Sequence, residues 1–323
     1  MSRILTGVQS TGVPHLGNIL GAIFPAIKLS EKTENESFLF IADFHSLTQI
    51  KDATELKENT YATAAAWLAC GLNPKNTVFY RQSDVPEVSE LMWYLLSFFP
   101  FSRLSLAHSF KDKQERIKEV NGGLFTYPML MAEDILLYDA DVVPVGKDQL
   151  QHLEMTRDVA SRFNSKMGDV FVIPKEDVKE QTMLIPGTDG HKMSKSRNNI
   201  IDVFLPEKKL RKQIMSIQTE STLLEDPKTP ETCNVFNIYS LLASKQQISD
   251  MKNKYVSGGY GFGHAKQELF ELILNVFEKE REKYFSLMEN KQEIDAILLE
   301  GSQKARLTAS KVLKRVRGKL GYL

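Results

Sequence analysis

Cysteine is scarce: the 323 residues hold two, Cys70 and Cys233. They stand far apart, with no CxxC and no His–Cys metal spacing. That excludes a disulfide framework and a zinc module and predicts two buried thiols in a reducing compartment. Net charge is missing too, since 41 Lys and Arg balance 41 Asp and Glu. No global field draws nucleic acid, so binding of that kind needs a local patch. Long apolar runs are absent. The most apolar stretch, "LMWYLLSFFPF" (residues 91–101), is too short to span a bilayer and contains Pro100. The first residues, "MSRILTGVQS", lack the apolar stretch of a signal peptide. A cytoplasmic protein with no membrane attachment is expected. There are no internal repeats and no low-complexity segments.

What is present is the material for a core. Hydrophobic residues make up 42% and charged residues 25%, in a chain long enough for one large or two ordinary domains. Short apolar runs alternate with longer amphipathic ones through the first two-thirds. "RILTGVQ", "SFLFIADFH", "TVFYRQSDV" and "DADVVPVGKDQ" read as strands. "GNILGAIFPAIKLSE", "ATELKENTYATAAAWLACG" (stopped by Gly71) and "LQHLEMTRDVASRFN" read as helices. This is the pattern of an α/β fold with a parallel sheet covered by helices. Beyond about residue 200 the segments show helical spacing with almost no strand signal. Two regions follow: an α/β domain over 1–200 and an all-α region over 201–323.

Two loops carry chemistry. "TGVQSTGVPHLGN" (6–18) places a strand end, glycines at 7, 12 and 17 and a helix start in succession. Free backbone N–H groups and a helix N-terminus favour phosphate there, and glycine allows close approach. The spacing matches neither a dinucleotide fingerprint nor a Walker loop. Read alone, it is an ordinary turn, and His15 an ordinary helix-start residue. "GTDGHKMSKSRNN" (187–199) packs two lysines and two serines into five residues. Read alone, it is a solvated surface loop; paired with the first, it is a mobile clamp for a polyphosphate.

"PHLGN" with an intact "KMSKS" resembles the two signatures of the class I aminoacyl-tRNA synthetases. Leu16 stands for the family's isoleucine, and Asn18 for its second histidine. "YPMLMAEDILLY" and "VPVGKDQLQHLEMTRD" resemble the tryptophan branch, compact bacterial type, and the likeness extends loosely over nearly the whole chain. The resemblance implies a Rossmann-like catalytic domain ending in the lysine–serine loop, followed by an anticodon-binding helical region. It implies activation of L-tryptophan by ATP, with Mg²⁺ carried on the phosphates and no protein-ligated metal, then transfer to the 3′ end of tRNA. Attack by an already ionised carboxylate needs no general base, so catalysis is positioning and charge stabilisation.

Residue by residue, the resemblance assigns Gln9, Asn18, Lys192, Ser194 and Lys195 to catalysis. ATP falls to Gln9, Ser10, Thr11, His15, Gly17, Asn18, Gly146, Lys147 (through its backbone), Asp148, Ile185 and the loop from Lys192 through Met193, Ser194 and Lys195 to Ser196. Ile185 is expected in a strand before that loop, with Met183 able to fill its role. Lys113 is an extra phosphate lysine or a solvated charge. Tryptophan falls to Asp134, Gln149, Met131 and His45. An indole needs apolar walls and one acceptor, which Asp134 supplies. Read alone, Asp134 is a cap or surface carboxylate, Met131 core packing and His45 a structural histidine. Leu5 stands where an aromatic pocket residue is expected. The turn at 14–18 and the lysine loop are expected to face each other across one cleft, with Asp134 at its floor.

The segment "KARLTASKVLKRVRGKL" (304–320) has seven Lys or Arg and no acid. It reads either as a phosphate-binding stripe or as a helix paired with the acidic segment before it. The resemblance also implies a homodimer, with residues 91–101 a candidate contributor. Rival readings are the tyrosine enzyme of the same fold, a non-charging paralogue that binds nucleotide or tRNA, and a nucleotidyltransferase acting on another small carboxylate.

Overall fold

The computed structural model describes residues 2–32, 34–107, 120–146, 149–178 and 185–323. Five strands form one sheet: β1 (Ser2–Val8), β2 (Asn35–Ile41), β3 (Thr77–Arg81), β4 (Val142–Val145) and β5 (Lys175–Val178). Their order is β3-β2-β1-β4-β5, with every pairing parallel. In such a doubly wound sheet the order reverses beside β1, and ligands bind outside the carboxyl ends of the strands at that point. The first four strands match the sequence expectation. The fifth, "KEDV", has almost no apolar signal, because an edge strand need not be buried on both faces.

Period-2 alternation decides which side chains serve which face. Along β2, Leu39 and Ile41 join one core cluster while Phe38 and Phe40 join the other; Phe79 and Tyr80 of β3 divide likewise. Each large side chain fully removed from water contributes about 1.5–3 kcal/mol. The sheet is therefore anchored from both sides.

Helices cover both faces. In the first half they are α1 (Leu16–Asn18), α2 (Phe24–Ser30), α3 (Asp43–Leu47), α4 (Ala53–Ala69), α5 (Glu87–Phe98), α6 (Phe101–Leu104), α7 (Gly122–Leu136) and α8 (Leu150–Met167). Beyond residue 200 come α9 (Glu207–Met215), α10 (Asn234–Ser240), α11 (Lys245–Ser257), α12 (Phe262–Val276), α13 (Glu278–Glu289) and α14 (Lys291–Leu320). The ends follow local chemistry. Asp52 caps α4 by accepting the Glu55 N–H at 2.7 Å, and the chain leaves that helix through Gly71 at φ +104°.

The helical third shares its core with the sheet. One cluster runs from Leu16, Trp67 and Phe79 through Ile201 and Leu269 to Leu298. The last helix returns to β3. A Cβ on Gly301 would lie 1.7 Å from the Phe79 carbonyl oxygen, so only glycine lets α14 approach that strand. It thereby covers one edge of the sheet. No helix among the described residues is long and apolar enough to cross a membrane.

Candidate active site

The first motif folds as a reciprocal cap. The Asn18 N–H donates to His15 Nδ1 at 3.3 Å, and the His15 N–H donates to Asn18 Oδ1 at 3.2 Å. Asparagine at 18 thus closes a capping box that opens α1. A π-helical turn over Ile19–Ile23 follows at once, a distortion common at functional sites. His15 is buried, and burial together with the Lys195 charge lowers its pKa to about 4. It is a neutral imidazole at physiological pH, which keeps Nδ1 free to accept.

The lysine–serine loop lies directly opposite. Met193 is buried; its N–H donates to the Ile185 carbonyl at 2.9 Å, and its sulfur accepts the Gly17 N–H at 3.3 Å. The Leu16 N–H donates to the Ile201 carbonyl at 2.8 Å, a second tie between turn and loop. Lys195 reaches back to Gly12: its Nζ lies 3.0 Å from where a Cβ would stand, and Gly12 has φ +121°. Burial lowers the Lys195 pKa, opposed by the charge of Asp202. Burial in turn raises Asp202 to about 6. The segment before the loop is not a strand in the described residues; Pro186 and Lys192 form a single antiparallel bridge.

Turn and loop enclose a cleft of about 430 Å³. Of the expected ATP residues, Gln9, Thr11, His15, Gly17, Asn18, Ile185, Lys192, Met193, Ser194 and Lys195 line it. Ser10 does not: its N–H and hydroxyl engage the Ser46 hydroxyl in the interior. Ser196 is also off the wall, its hydroxyl 3.2 Å from that of Ser194. Lys113, Lys147, Asp148 and the alternative Met183 lie outside the described residues.

A second cavity, of about 280 Å³, opens on the other side of the β1 carboxyl end and shares Thr6, Gly7 and Gln9 with the first. It holds the expected tryptophan residues His45, Met131, Asp134 and Gln149, and also Gly146, which was expected on the ATP side and does not line the nucleotide cleft. Asp134 therefore lies in this adjoining chamber and not on the floor of the nucleotide cleft. Leu5 lines the chamber, and the aromatic walls are Phe40 and Tyr127. The Phe40 ring lies across Gly7, leaving no room for a Cβ there.

Helix α7 delivers the carboxylate. Its cap, Asn121, accepts the Leu124 N–H at 3.0 Å and donates to the Thr48 carbonyl at 3.0 Å, pinning the helix start to the chain end of α3. Asp134 Oδ1 accepts from Gln82 Nε2 at 2.6 Å, and Oδ2 from His45 Nε2 at 2.8 Å. A carboxylate only accepts, so the imidazole proton sits on Nε2, leaving Nδ1 bare and buried. Burial raises both Asp134 and its fully buried neighbour Glu133. Both Glu133 oxygens lack hydrogen-bond partners among the described residues. The shared negative charge therefore rests on Asp134, where two donors stabilise it.

Two partners of the chamber's key groups escaped the sequence reading: Gln82, which holds Asp134 from outside the lining, and Tyr127, which lines it. Gln82 follows β3 in a short 3-10 turn and has no motif around it; its Oε1 accepts the Phe44 N–H at 3.2 Å, which fixes the donor end toward Asp134. Tyr127 stands four residues before Met131 on α7, and that helical spacing was a usable signal. Its hydroxyl accepts from Gln9 Nε2 at 2.9 Å, and its ring meets His45 edge-on at 4.6 Å.

A switch-point sheet, a neutral-histidine turn and a lysine lid over one cleft define a nucleotide-binding α/β chain with a second, smaller chamber attached. The chain belongs to the tRNA synthetases class I (W and Y), whose family model matches residues 1–278. Within that family it is 45% identical over 319 residues to the tryptophan–tRNA ligase of Campylobacter jejuni strain RM1221, covering 99% of each. It is 46% identical over 324 residues to that of Fusobacterium nucleatum, covering 100% of this chain and 99% of the relative. The fold matches the Campylobacter jejuni tryptophanyl-tRNA synthetase complexed with ADP and tryptophan at a TM-score of 0.96, with 45% identity and 99% coverage of each chain.

Proposed function

We propose that the chain is an ATP-dependent tryptophan–tRNA ligase. It joins L-tryptophan to ATP, giving tryptophanyl-adenylate and pyrophosphate, and passes the tryptophan to the 3′ end of its tRNA. The observation that carries this reading is the adjoining pair of cavities at the carboxyl end of β1, one walled by a lysine lid and the other ending at a buried carboxylate. The full-length similarity to tryptophan–tRNA ligases supports the same substrate.

The indole enters the second chamber with its N–H on Asp134, which keeps lone pairs beyond those used by Gln82 and His45, and with Met131 along its side. Tyr127, Gln149 and Gln9 face the amino and carboxylate end. ATP lies along Thr11, His15, Gly17, Asn18 and Ile185 and brings Mg²⁺ on its phosphates as part of the substrate. The tryptophan carboxylate attacks the α-phosphorus, the bond to the β-phosphate oxygen breaks, and the leaving diphosphate collects charge that Lys192, Lys195 and Ser194 stabilise. An acceptor for an N–H left buried without one disfavours apolar analogues by roughly 10⁴–10⁵, so no editing is needed.

The tRNA anticodon falls to the helices after residue 200. Along 304–320 much of the positive charge is engaged: Arg306 pairs with Glu87, Arg315 with Asp139, Arg317 with Glu90 and Lys304 with Glu300. These partners sit mainly on α5 and the turn after α7, which favours a packing role for that stretch. A homodimer in the cytoplasm completes the reading, with exposed Trp93 and Phe101 as contact candidates.

Amino-acid-dependent ATP–pyrophosphate exchange tests it. Tryptophan should stimulate exchange and tyrosine should not, and tRNA should be charged. Stimulation by tyrosine alone replaces the substrate; robust exchange without charging points to a non-charging paralogue.

A further inference from the structure

Just past the lysine–serine motif stands Asn199, a residue that touches neither cavity. It is 2% exposed. Its carboxamide is fully engaged at the centre of the turn formed by residues 187–198. Nδ2 donates to Asp189 Oδ1 at 2.6 Å and to the Lys192 carbonyl at 3.1 Å, while Oδ1 accepts the Ser194 N–H at 2.8 Å. Its own carbonyl accepts the Thr188 N–H at 2.9 Å. The turn is shaped around this group: a Cβ on Gly187 would fall 2.4 Å from the Asn199 carboxamide. Asn198 adopts φ +53°, the left-handed conformation that turns the chain back so that residue 199 points inward.

The two backbone atoms it grips flank Met193 on either side. Met193 is the residue that docks on Gly17, and Lys192 and Lys195 are the charges of the lid. A group fixing the Lys192 carbonyl and the Ser194 N–H together therefore fixes the direction in which the lid presents its lysines. An aliphatic side chain would leave the half-buried Lys192 carbonyl and Ser194 N–H without this partner. Aspartate would accept from Ser194 but could not donate to Lys192, and would face Asp189 at ionic contact.

We propose that Asn199 is a positioning residue for the phosphate lid, acting through the main chain of Lys192 and Ser194 to hold the lid lysines on the leaving diphosphate. This rests on the ligase reading above. It concerns the ATP side alone, so tryptophan binding is independent of it.

The test is steady-state ATP–pyrophosphate exchange on the full chain, with tryptophan affinity measured separately by equilibrium binding. N199A should lower kcat about 10–100-fold and raise KM for ATP, leaving tryptophan affinity within twofold. N199D carries the sharper signature. Its introduced carboxyl would stand against that of Asp189, and repulsion between the two raises the pH at which the second of them ionises. Its activity relative to wild type should therefore recover as pH falls from 8 to 6. The other charged groups around the turn are His191, Lys192, Lys195 and Arg197, with Asp202 facing Lys195 from the following segment and Asn234 and Gln218 packed outside. These are common to both proteins and cancel in the ratio. D189A, at a more exposed position, should lose about three- to tenfold and serves if residue-199 variants fail to fold. Wild-type kcat and KM for ATP in N199A or D189A would overturn the proposal, as would a pH-independent N199D defect or one that tracks lost tryptophan affinity. An inactive wild type counts against the ligase reading instead.

Discussion

The two cavities are built by opposite means. The nucleotide cleft is made of glycine turns, main-chain donors and lysines on a loop, and its charge is supplied by groups near the surface. The second chamber is walled by β1, β2, α3, α7 and β4, with a carboxylate held by two buried donors. A polyphosphate is flexible, highly charged and similar in every ATP-using enzyme, so a loop that closes over it serves well. An indole is rigid and must be told from other rings, so the chamber is fixed before the ligand arrives.

If that contrast is right, each cavity can be damaged without the other. The largest effect belongs to the lid. K192A combined with K195A should cut the exchange kcat by about 10³-fold or more, with equilibrium binding of tryptophan unchanged. Next comes the carboxylate. D134A should lower kcat/KM for tryptophan by about 10²-fold or more, because Gln82 and His45 lose their acceptor together with the indole N–H, while KM for ATP stays within twofold. Smaller is G12A, which places a side chain at φ +121° and against Lys195; strain of this kind costs about 1–3 kcal/mol, so kcat/KM for ATP should fall about tenfold. Smallest is Q82L, which removes one of two donors to Asp134 and should raise KM for tryptophan by about three- to tenfold. Equal losses toward both substrates in any of these variants would break the division.

Acid sharpens the comparison, because His15 on the cleft wall and Asp202, which faces Lys195 from the following segment, titrate in opposite directions. His15 is lowered to about 4 in the folded chain, so its contribution to stability is complete above pH 6.5 and is lost as pH falls through 4. Asp202 is raised to about 6, so its contribution is complete below the ordinary value of 3.8 and is lost as pH rises through 6. Melting temperature against pH should therefore lose its acid-side fall in H15Q and lose its decline between pH 4 and 6 in D202N. Unchanged curves would mean that these groups are solvated in the folded chain.

The same contrast explains what could be read from the chain alone. The cleft is local in sequence: residues 6–18 and 185–195 supply most of its wall, and their glycines, lysines and serines are visible as two motifs. The chamber is assembled across β1, β2, α3, α7 and β4, and nothing in the residues alone marks Phe40 as one of its walls or Gln82 as a donor to Asp134. Asp134, Met131, Gln149 and His45 were reached through resemblance, not through spacing. Strands β1 to β4 were legible because each carries a short apolar stretch, Ile4–Leu5, Phe38–Ile41, Val78–Tyr80 and Val142–Val145; β5, at an edge and mostly charged, was not. The packing of α14 on β3 escaped as well, since a glycine in a helix does not say which carbonyl it must pass. Asn199 looked like one more polar loop residue, because its value lies in what it grips.

The decisive geometry is where the two substrates lie with respect to each other. A crystal structure with tryptophan and a non-hydrolysable ATP analogue should place the indole nitrogen within hydrogen-bond distance, about 2.7–3.2 Å, of the Asp134 carboxylate. The α-phosphate should sit beside the tryptophan carboxylate near Gln9, with Lys192 and Lys195 on the outer phosphates. An indole turned away from Asp134, or the two ligands bound on separate surfaces, would contradict it.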